Sequence, residues 1–515
     1  MMLTSAAVVA VLSLLGAAVG LLNYLILARL FGASVRVDAY FIAICVPMLF
    51  SGTLTAALNY ALVPSLIAWK REATQYARFS GLMFLCFLLV SLFFFLVGYP
   101  TATTLIAAFG VTLTGDVKTE AVLITRIAWL CGGLALIIGF LTAMHHAAKR
   151  FFLPVIANML PTVGMTVLML TFGRTLGPVT LAWGMLAGSV IAVLALLLRV
   201  FPDFDVSMKC LECWKEVVKF FLKIPLVMIA TISFTVYQFA DAYWASKLGA
   251  GNVSYLAYCQ RILVAIGTVV IAGPAVVLGP RLSEASRDGR HREFLNDTAR
   301  ALRTTLAFAT PLALIISILS LPLTRFLFEG GAFDQDATLQ VASILPMMMG
   351  GMVPMLCMTI LYRALFAKHA VISAALIGGF CAMAYFILSG FFSRTYSLVG
   401  FALAYNVSWW TVLVIAIIAL WKKDIYQLIS KENVTFAWQL FVSLVATAGL
   451  VSVAVKLLEA SMAEMGVLGL LVGILASFGV GALGYYFVAA RILGMPDIRI
   501  VVDHFRKAYF TSFKT

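Results

Sequence analysis

Residues 79–99 read FSGLMFLCFLLVSLFFFLVGY, a run of 21 residues without a charged side chain. A helix needs about 20 mainly apolar residues to cross the hydrocarbon core of a bilayer, whereas the strands of a membrane barrel alternate apolar and polar residues. Of the 515 residues, 63% are hydrophobic and 11% are charged; a soluble domain is about half apolar and a quarter charged. The sequence therefore excludes a soluble globular protein and predicts an all-α, polytopic membrane protein.

Similar apolar windows, each bounded by charge, glycine or proline, recur along the whole chain. They predict fourteen transmembrane helices at 3–28, 38–68, 79–99, 120–144, 151–173, 177–198, 220–245, 253–279, 302–325, 339–362, 370–393, 397–421, 435–457 and 465–490.

The positive charges agree with this count. If the N-terminus is cytoplasmic, the inside loops and the tail carry 26 of the 36 Lys and Arg residues, and the outside loops carry 8. Such an excess is typical of cytoplasmic loops. It predicts a multi-pass protein with both termini in the cytoplasm. The net charge of +14 is then explained by topology, and no nucleic-acid partner is expected.

The chain also repeats itself. The segment Leu62-Val-Pro-Ser-Leu66 closes the second span, and Leu278-Gly-Pro-Arg-Leu282 closes the eighth span, 216 residues later. The repeat predicts two pseudo-symmetric six-helix lobes around a central cleft, a common plan of transporters, with two helices left over. The predicted divisions are an N-terminal lobe at 1–200, a cytoplasmic linker at 201–219, a C-terminal lobe at 220–432, spans 13 and 14 at 433–491, and a cytoplasmic tail at 492–515.

Charged residues inside the spans are the sharpest chemical signal. A charged side chain that faces lipid costs at least about 2.5–3.5 kcal/mol, so such residues turn inward or form pairs. Arg261 is the deepest and predicts a cation that binds a phosphate or carboxylate through two hydrogen bonds. A buried ion pair with Asp241 or Asp38 is the alternative. The wider set of candidate residues is Asp38, Arg126, Asp241 and Arg261 within the spans, with Arg29 and Arg363 near span ends.

Simpler interpretations remain open for three of these residues. Asp38 and Asp241 lie near the outer ends of their spans, where water can hydrate them. Arg126 lies about six residues into span 4, from which a long side chain can reach the interface.

No catalytic or metal-binding pattern is present in the sequence. The eight cysteines are scattered, and Cys210 and Cys213 lack the two further ligands that a zinc site needs. No phosphate-binding Walker loop and no Ser/His/Asp cluster occurs. We therefore expect no metal, no cofactor and no enzymatic activity.

Several segments resemble the MurJ/MviN family of the multidrug/oligosaccharidyl-lipid/polysaccharide (MOP) exporter superfamily. They are Ala28-Arg-Leu-Phe-Gly-Ala33, Asp38-Ala-Tyr-Phe-Ile-Ala43, Ala57-Leu-Asn-Tyr-Ala-Leu-Val-Pro64, Tyr258-Cys-Gln-Arg261, Pro280-Arg-Leu-Ser283, Leu327-Phe-Glu-Gly-Gly-Ala-Phe-Asp334 and Tyr362-Arg-Ala-Leu-Phe366. Their order and spacing resemble the family over roughly residues 20 to 370.

The resemblance implies an alternating-access flippase of the bacterial inner membrane. Its substrate would be an undecaprenyl-diphosphate-linked glycan, either lipid II for peptidoglycan biosynthesis or a related oligosaccharide or exopolysaccharide precursor, moved from the cytoplasmic to the periplasmic leaflet. A gradient of H+ or Na+, or the membrane potential, would drive transport. Other implied partners are membrane lipids and proteins of cell-envelope biosynthesis.

The resemblance also assigns roles to residues. Arg29, Arg261 and Arg363 fall on family positions and, with Arg126, are the predicted substrate-binding residues. Asp38, also on a family position, and Asp241 are the predicted ion-coupling residues.

Several cavity cations of the family are replaced in this chain. Where the family carries cations, the sequence has Ala17, Asn23, Ser51, Gly52 and Gly330; Val264 stands in place of an acidic residue. These departures make a lipid-linked glycan other than lipid II, such as an exopolysaccharide repeat unit, a serious alternative as the substrate.

Two other classes of function compete with a glycan flippase. The first is a cation-coupled drug antiporter of the MOP superfamily. The second is a polytopic glycosyltransferase or ligase, which needs a sizeable outside loop with acid and base residues. The longest outside connector, at about 100–119, has only Asp116 and Glu120 near it.

Overall fold

The computed structural model describes residues 2–495 and 498, apart from 70–72, 111, 201–203, 206, 288–289, 369, 423–429 and 465. Part of the predicted linker (201–203 and 206) and most of the predicted tail (496–497 and 499–515) thus lie outside the described residues.

The described residues form α-helices and no β-strand. The helices are α1 (Met2–Phe31), α2 (Val35–Trp69), α3 (Ala73–Phe109), α4 (Gly115–Ala147), α5 (Phe152–Leu176), α6 (Val179–Val200), α7 (Trp214–Thr231), α8 (Val236–Ala245), α9 (Asn252–Arg287), α10 (His291–Ile318), α11 (Ser320–Phe328), α12 (Gln335–Ala367), α13 (Val371–Trp421), α14 (Lys431–Glu464) and α15 (Gly466–Tyr486). The prediction of an all-α, polytopic protein is confirmed.

The helices accommodate fourteen spans. Twelve segments in the described part of the chain are long and apolar enough to cross a membrane. One of them, α13, has 51 residues and contains two predicted spans, separated at Ser397, whose backbone is non-helical with φ 51° and ψ −130°. Helix α9 covers the predicted span at 253–279.

The helices extend beyond the apolar windows. Helix α3, for example, begins at Ala73 and ends at Phe109, whereas the predicted span covers 79–99. A window of apolar residues marks only the hydrocarbon core, and a helix continues through the interface because each further turn pairs its own backbone groups. Predicted span 7 is also broken, since a 3-10 turn at Ile232–Phe234 separates α7 from α8.

The chain forms two compact units. The first contains Met1–Ala265, Gly330–Ala337 and Val371–Phe401, and the second contains Ile266–Glu329, Thr338–Ala370 and Ala402–Thr515. In the first unit α4 is the central helix, and it packs against α2, α3 and α6. In the second unit α10 packs against α14 and α15. These units group residues by contact and not by internal repeat, so the division into two lobes stays a prediction.

Candidate functional site

Arg261 points from α9 toward α1 inside the first unit. It lies nine residues after Asn252, the first residue of α9, which is about two and a half turns. Its Nη2 donates a hydrogen bond to the carbonyl oxygen of Ala17 at 3.2 Å. Its guanidinium carbon lies 5.5 Å from the centre of the Tyr24 ring. The cation is therefore half-buried between two helices, in contact with a carbonyl dipole and an aromatic face.

No carboxylate balances this charge. In the described part of the chain, no acidic oxygen lies within 4.0 Å of the Arg261 guanidinium. Its Nε is buried and has no hydrogen-bond partner there. A guanidinium has five N–H donors, and leaving a buried donor unpaired costs about 1–3 kcal/mol. The arrangement therefore favours an anionic group that accepts these hydrogen bonds.

Gly20 makes room for the guanidinium. A Cβ atom at this position of α1 would lie 1.4 Å from Nη2 of Arg261. Any other residue at position 20 therefore forces the end of the arginine side chain to move. Because that end is flexible, the helices need not separate, but the guanidinium loses its place beside Ala17.

The Asp241 carboxylate is buried on α8 and is held by neutral donors. The hydroxyl of Tyr385 donates a hydrogen bond to Oδ1 at 2.5 Å, and the amide of Gln260 donates to Oδ2. Gln260, which donates to the Asp241 carboxylate, directly precedes Arg261 in the chain. The carboxylate and the guanidinium nevertheless do not form an ion pair in the described structure. A buried carboxylate without a cationic partner is a place where a proton or a metal cation can neutralise charge.

The Asp38 carboxylate on α2 caps the first turn of α9. It accepts hydrogen bonds from the backbone N–H of Gly251 at 2.5 Å and of Ser254 at 2.8 Å, and from the Ser254 hydroxyl at 2.5 Å. An acidic oxygen at a helix N-terminus is stabilised by the unpaired N–H groups and by the helix dipole. Neither Asp38 nor Asp241 forms the ion pair with Arg261 that was the alternative interpretation.

Further contacts join the ends of α1 and α9 beside Asp38. The Tyr258 hydroxyl donates to the carbonyl of Gly32 at 2.7 Å, and its ring meets the Phe333 ring edge-on at 5.3 Å. The backbone N–H of Ala332 donates to the carbonyl of Arg29 at 2.9 Å. We call Arg29, Gly32, Asp38, Gly251, Ser254, Tyr258, Ala332 and Phe333 the end cluster. Its residues lie at the helix ends that the charge distribution predicts to be outside.

The other predicted substrate-binding arginines have different surroundings. The side chain of Arg29 is exposed, and its backbone carbonyl belongs to the end cluster. Arg126 on α4 is half-buried, with its guanidinium carbon 4.4 Å from the centre of the Tyr99 ring. Arg363 is half-buried on α12 in the second unit. The structure thus gives Arg126 and Arg261 separate aromatic partners.

Neutral contacts occupy positions where the family resemblance expects arginine. The Asn23 amide donates a hydrogen bond to the Thr166 hydroxyl at 3.1 Å, and both side chains are buried. Ser51 is buried against α4, where a Cβ on Gly132 would lie 3.3 Å from it. These side chains carry no charge. They therefore add nothing to the positive charge that Arg261 places between α1 and α9.

Five contact residues were not foreseen from the sequence: Gly20, Tyr24, Ser254, Gln260 and Tyr385. Gln260 lies inside the quoted motif Tyr258-Cys-Gln-Arg261 and could have been included. No sequence signal connects Tyr385 with Asp241, because 144 residues separate them.

A bundle of apolar spans with a half-buried, carboxylate-free cation in its interior is an arrangement typical of membrane transporters. Comparison with known families specifies this class. Residues 27–490 match the model of the family described as "Lipid II flippase MurJ", and the chain belongs to this family. The prediction of a transporter rather than an enzyme, and the resemblance stated above, are confirmed.

Curated relatives carry the same family name. The lipid II flippase MurJ of Burkholderia cenocepacia is 28% identical over 379 residues, which are 69% of this chain and 72% of the relative. A probable lipid II flippase MurJ of Rhizobium tropici is 24% identical over 92% of this chain and 91% of its own length.

Solved structures support the fold. A lipid II flippase MurJ in an inward closed conformation superimposes with a TM-score of 0.76 at 19% identity, covering 94% of this chain and 99% of that one. An inward-facing multidrug resistance transporter of the MATE family, described as a member of the MOP superfamily, reaches a TM-score of 0.63 at 14% identity, over 81% of this chain and 96% of that one. At these identities the likeness concerns the fold alone.

Proposed function

We propose that the chain moves an undecaprenyl-diphosphate-linked glycan from the cytoplasmic to the periplasmic leaflet by alternating access. A hydrated diphosphate and its sugars cannot cross hydrocarbon unaided, because their polar groups lose water without gaining partners. A flippase provides such partners inside the bundle. The lipid tail of the substrate needs no such protection.

The observation that carries this proposal is the unbalanced charge of Arg261. A cation with a buried, unpartnered N–H and no neighbouring carboxylate binds an anion and repels another cation. Two parallel hydrogen bonds from a guanidinium match the oxygens of a phosphate group. The same charge disfavours the competing function, export of cationic drugs.

We assign supporting roles to the other predicted residues. Arg29 and Arg363, which fall on family positions, and Arg126, whose guanidinium lies over the Tyr99 ring, contact the diphosphate or the sugar at other stages of the cycle. Asp241 takes up the coupling proton or cation, since its neighbours in the described structure are neutral donors. Asp38 alternates between the N-terminus of α9 and the coupling ion.

The structure also bears on which glycan the lipid-linked substrate carries. The neutral residues Asn23 and Ser51 are buried in contacts with Thr166 and α4, so they add no positive charge for a substrate. A headgroup with few negative charges beyond the diphosphate fits this site, and a neutral repeat unit of an exopolysaccharide meets that requirement. We place both termini, and with them the end of α14 at Lys431, in the cytoplasm.

Complementation tests this function directly. The chain is expressed in cells depleted of their lipid II flippase and, in parallel, in a mutant that lacks a lipid-linked polysaccharide flippase. Rescue of the first strain identifies lipid II as a substrate, and rescue of the second identifies a polysaccharide precursor.

One further outcome bears on the antiporter alternative. If neither strain is rescued and cells gain resistance to cationic drugs, the antiporter replaces the flippase. Expression is checked by a C-terminal tag, and a chain carrying Arg261→Gln provides the inactive control.

A further inference from the structure

Three residues of α1 form the surface against which the Arg261 side chain lies. Ala17, Gly20 and Tyr24 are spaced by three and four positions along the helix, so they lie on one face of it. The carbonyl of Ala17 accepts a hydrogen bond from Nη2 of Arg261, and Gly20 leaves room for the guanidinium. Of the three residues, Tyr24 alone has a large side chain, and its ring is the aromatic neighbour of the cation.

The Tyr24 ring is held in place by two other aromatic rings. The Phe41 ring on α2 lies 5.8 Å from it between ring centres, and the Tyr258 ring on α9 meets it edge-on at 6.2 Å. Edge-on contacts of this kind are among the arrangements that aromatic pairs prefer. The hydroxyl of Tyr258 is itself bonded to the Gly32 carbonyl. The Tyr24 ring therefore has a fixed orientation beside the guanidinium, and its hydroxyl has a fixed direction.

The Tyr24 hydroxyl is available to a ligand. No residue in the described part of the chain forms a hydrogen bond with this oxygen. Tyr24 is partly buried, but its oxygen is not one of the enclosed, unpaired polar atoms of that part of the structure. A phenolic hydroxyl can donate one hydrogen bond, and the hydroxyl of a buried tyrosine usually has a partner. A second unused donor is thus present beside Arg261.

We propose that Tyr24 is a further substrate-binding residue, whose hydroxyl donates a hydrogen bond to the same phosphate group that Arg261 binds. This inference rests on the function proposed above. The centre of the Tyr24 ring lies 5.5 Å from the guanidinium carbon of Arg261, so one phosphate group can contact both side chains. Phosphate oxygens accept from a hydroxyl and a guanidinium at once, whereas a cationic ligand gains nothing from either donor.

The ring and the hydroxyl of Tyr24 have separable roles. The ring attracts the guanidinium through its π face and packs against Phe41 and Tyr258. The hydroxyl adds the hydrogen bond to the phosphate. Tyr24→Phe keeps the ring and removes the donor, whereas Tyr24→Leu removes both. The two variants therefore separate a residue that only positions Arg261 from one that also contacts the substrate.

Binding of a polyprenyl diphosphate to the full-length chain in detergent tests the proposal. Delipidated protein is titrated with the diphosphate or with the matching polyprenol, which has the same chain and no phosphate, and bound ligand is counted by native mass spectrometry. We expect Tyr24→Phe to weaken diphosphate binding about tenfold, because one hydrogen bond to a charged group is lost. Polyprenol binding and the melting temperature should not change. Tyr396→Phe, at an exposed position of α13, is the matched control and should bind both ligands as the unaltered chain does.

The remaining outcomes separate this inference from the proposed function. We expect Tyr24→Leu to weaken diphosphate binding more than Tyr24→Phe does, because the guanidinium also loses its aromatic neighbour. If Tyr24→Phe binds the diphosphate normally and only Tyr24→Leu is impaired, the tyrosine positions Arg261 without contacting the phosphate, and the proposal is wrong. An equal loss of polyprenol binding in Tyr24→Phe also overturns it. If the unaltered chain does not prefer the diphosphate to the polyprenol, the proposed function itself is contradicted.

Discussion

The end cluster and the surroundings of Arg261 both include residues of α9, yet their polar groups are satisfied in opposite ways. Around Asp38, a carboxylate receives three hydrogen bonds, two of them from backbone N–H groups. Around Arg261, the described residues supply one carbonyl and one aromatic ring, and they leave a buried nitrogen without a hydrogen-bond partner. The two regions lie about two turns apart on one helix.

The end cluster is therefore a contact that holds helices together, whereas the surroundings of Arg261 have the features of a ligand-binding site. A satisfied buried network stabilises one arrangement, whereas an incomplete one has a standing energetic cost. Selection for stability alone would remove that cost by placing a carboxylate near Arg261. Its absence from the described surroundings supports our proposal that the missing partner is the transported molecule.

The largest expected effect is on transport by Arg261→Gln. The variant loses the charge that we propose contacts the diphosphate, and because hydrogen bonds to charged groups are worth about 1.5–3 kcal/mol each, we expect transport to fall at least about a hundredfold. Complementation measures the loss, and the elution volume and melting temperature report on folding. Arg174→Gln, at the exposed end of α5, is the matched control. Normal transport by Arg261→Gln would assign the arginine a structural role.

The second effect concerns the end cluster. Asp38→Asn replaces an acceptor by an amide group that cannot accept from all three donors, so we expect the free energy of unfolding to fall by about 2 kcal/mol. Thermal unfolding in detergent measures it. Asp116→Asn removes an acidic residue from the first turn of α4, where it is exposed, and should cost less than about 1 kcal/mol. Equal losses in both variants contradict the capping role.

The third prediction concerns Gly20, which leaves room for the Arg261 guanidinium. Gly20→Ala places a methyl group where the guanidinium lies, and we expect transport to fall about tenfold because the cation is displaced. The melting temperature should change little, since a flexible side-chain end moves. Gly449→Ala, which has nothing within 4 Å of the new Cβ, should transport normally. If Gly20→Ala is less stable but transports at the normal rate per folded molecule, the position of the Arg261 guanidinium does not determine the transport rate.

The smallest effect is expected from Tyr258→Phe. The variant loses the hydrogen bond to the Gly32 carbonyl and keeps the ring contact with Phe333, which should cost about 1 kcal/mol. Its melting temperature is compared with that of Tyr396→Phe, an exposed tyrosine on α13. A loss as large as that of Asp38→Asn would mean that the tyrosine, not the carboxylate, dominates the end cluster.

Much of the fold could be predicted because hydrophobic length is a local property. Segment 79–99 must be a membrane helix whatever surrounds it, since its backbone groups have no other partners in lipid. The break between α7 and α8 could not be predicted, because residues 220–245 form one apolar window and nothing local stops the helix at Thr231. The ends of the helices were also missed, since charged residues such as Arg78 continue a helix past the apolar run.

The candidate site was predictable only in part. A charge among apolar residues identifies Arg261 and Asp241 as functional candidates, because burial of either is costly. Whether these two pair with each other depends on the directions of side chains from different helices, and the structure gives Asp241 a tyrosine from α13 instead.

The sequence by itself predicted a helical membrane protein of fourteen spans with a few charged residues inside them. These features can be read from the sequence because the hydrophobicity and the charge of a segment depend only on its own residues. Only the tertiary structure decided which charges are neutralised. Partners such as Asp38 and Gly251 are 213 residues apart, and their meeting depends on how whole helices pack. That packing caps α9 with Asp38 and, among the residues that the structure describes, brings no carboxylate to Arg261.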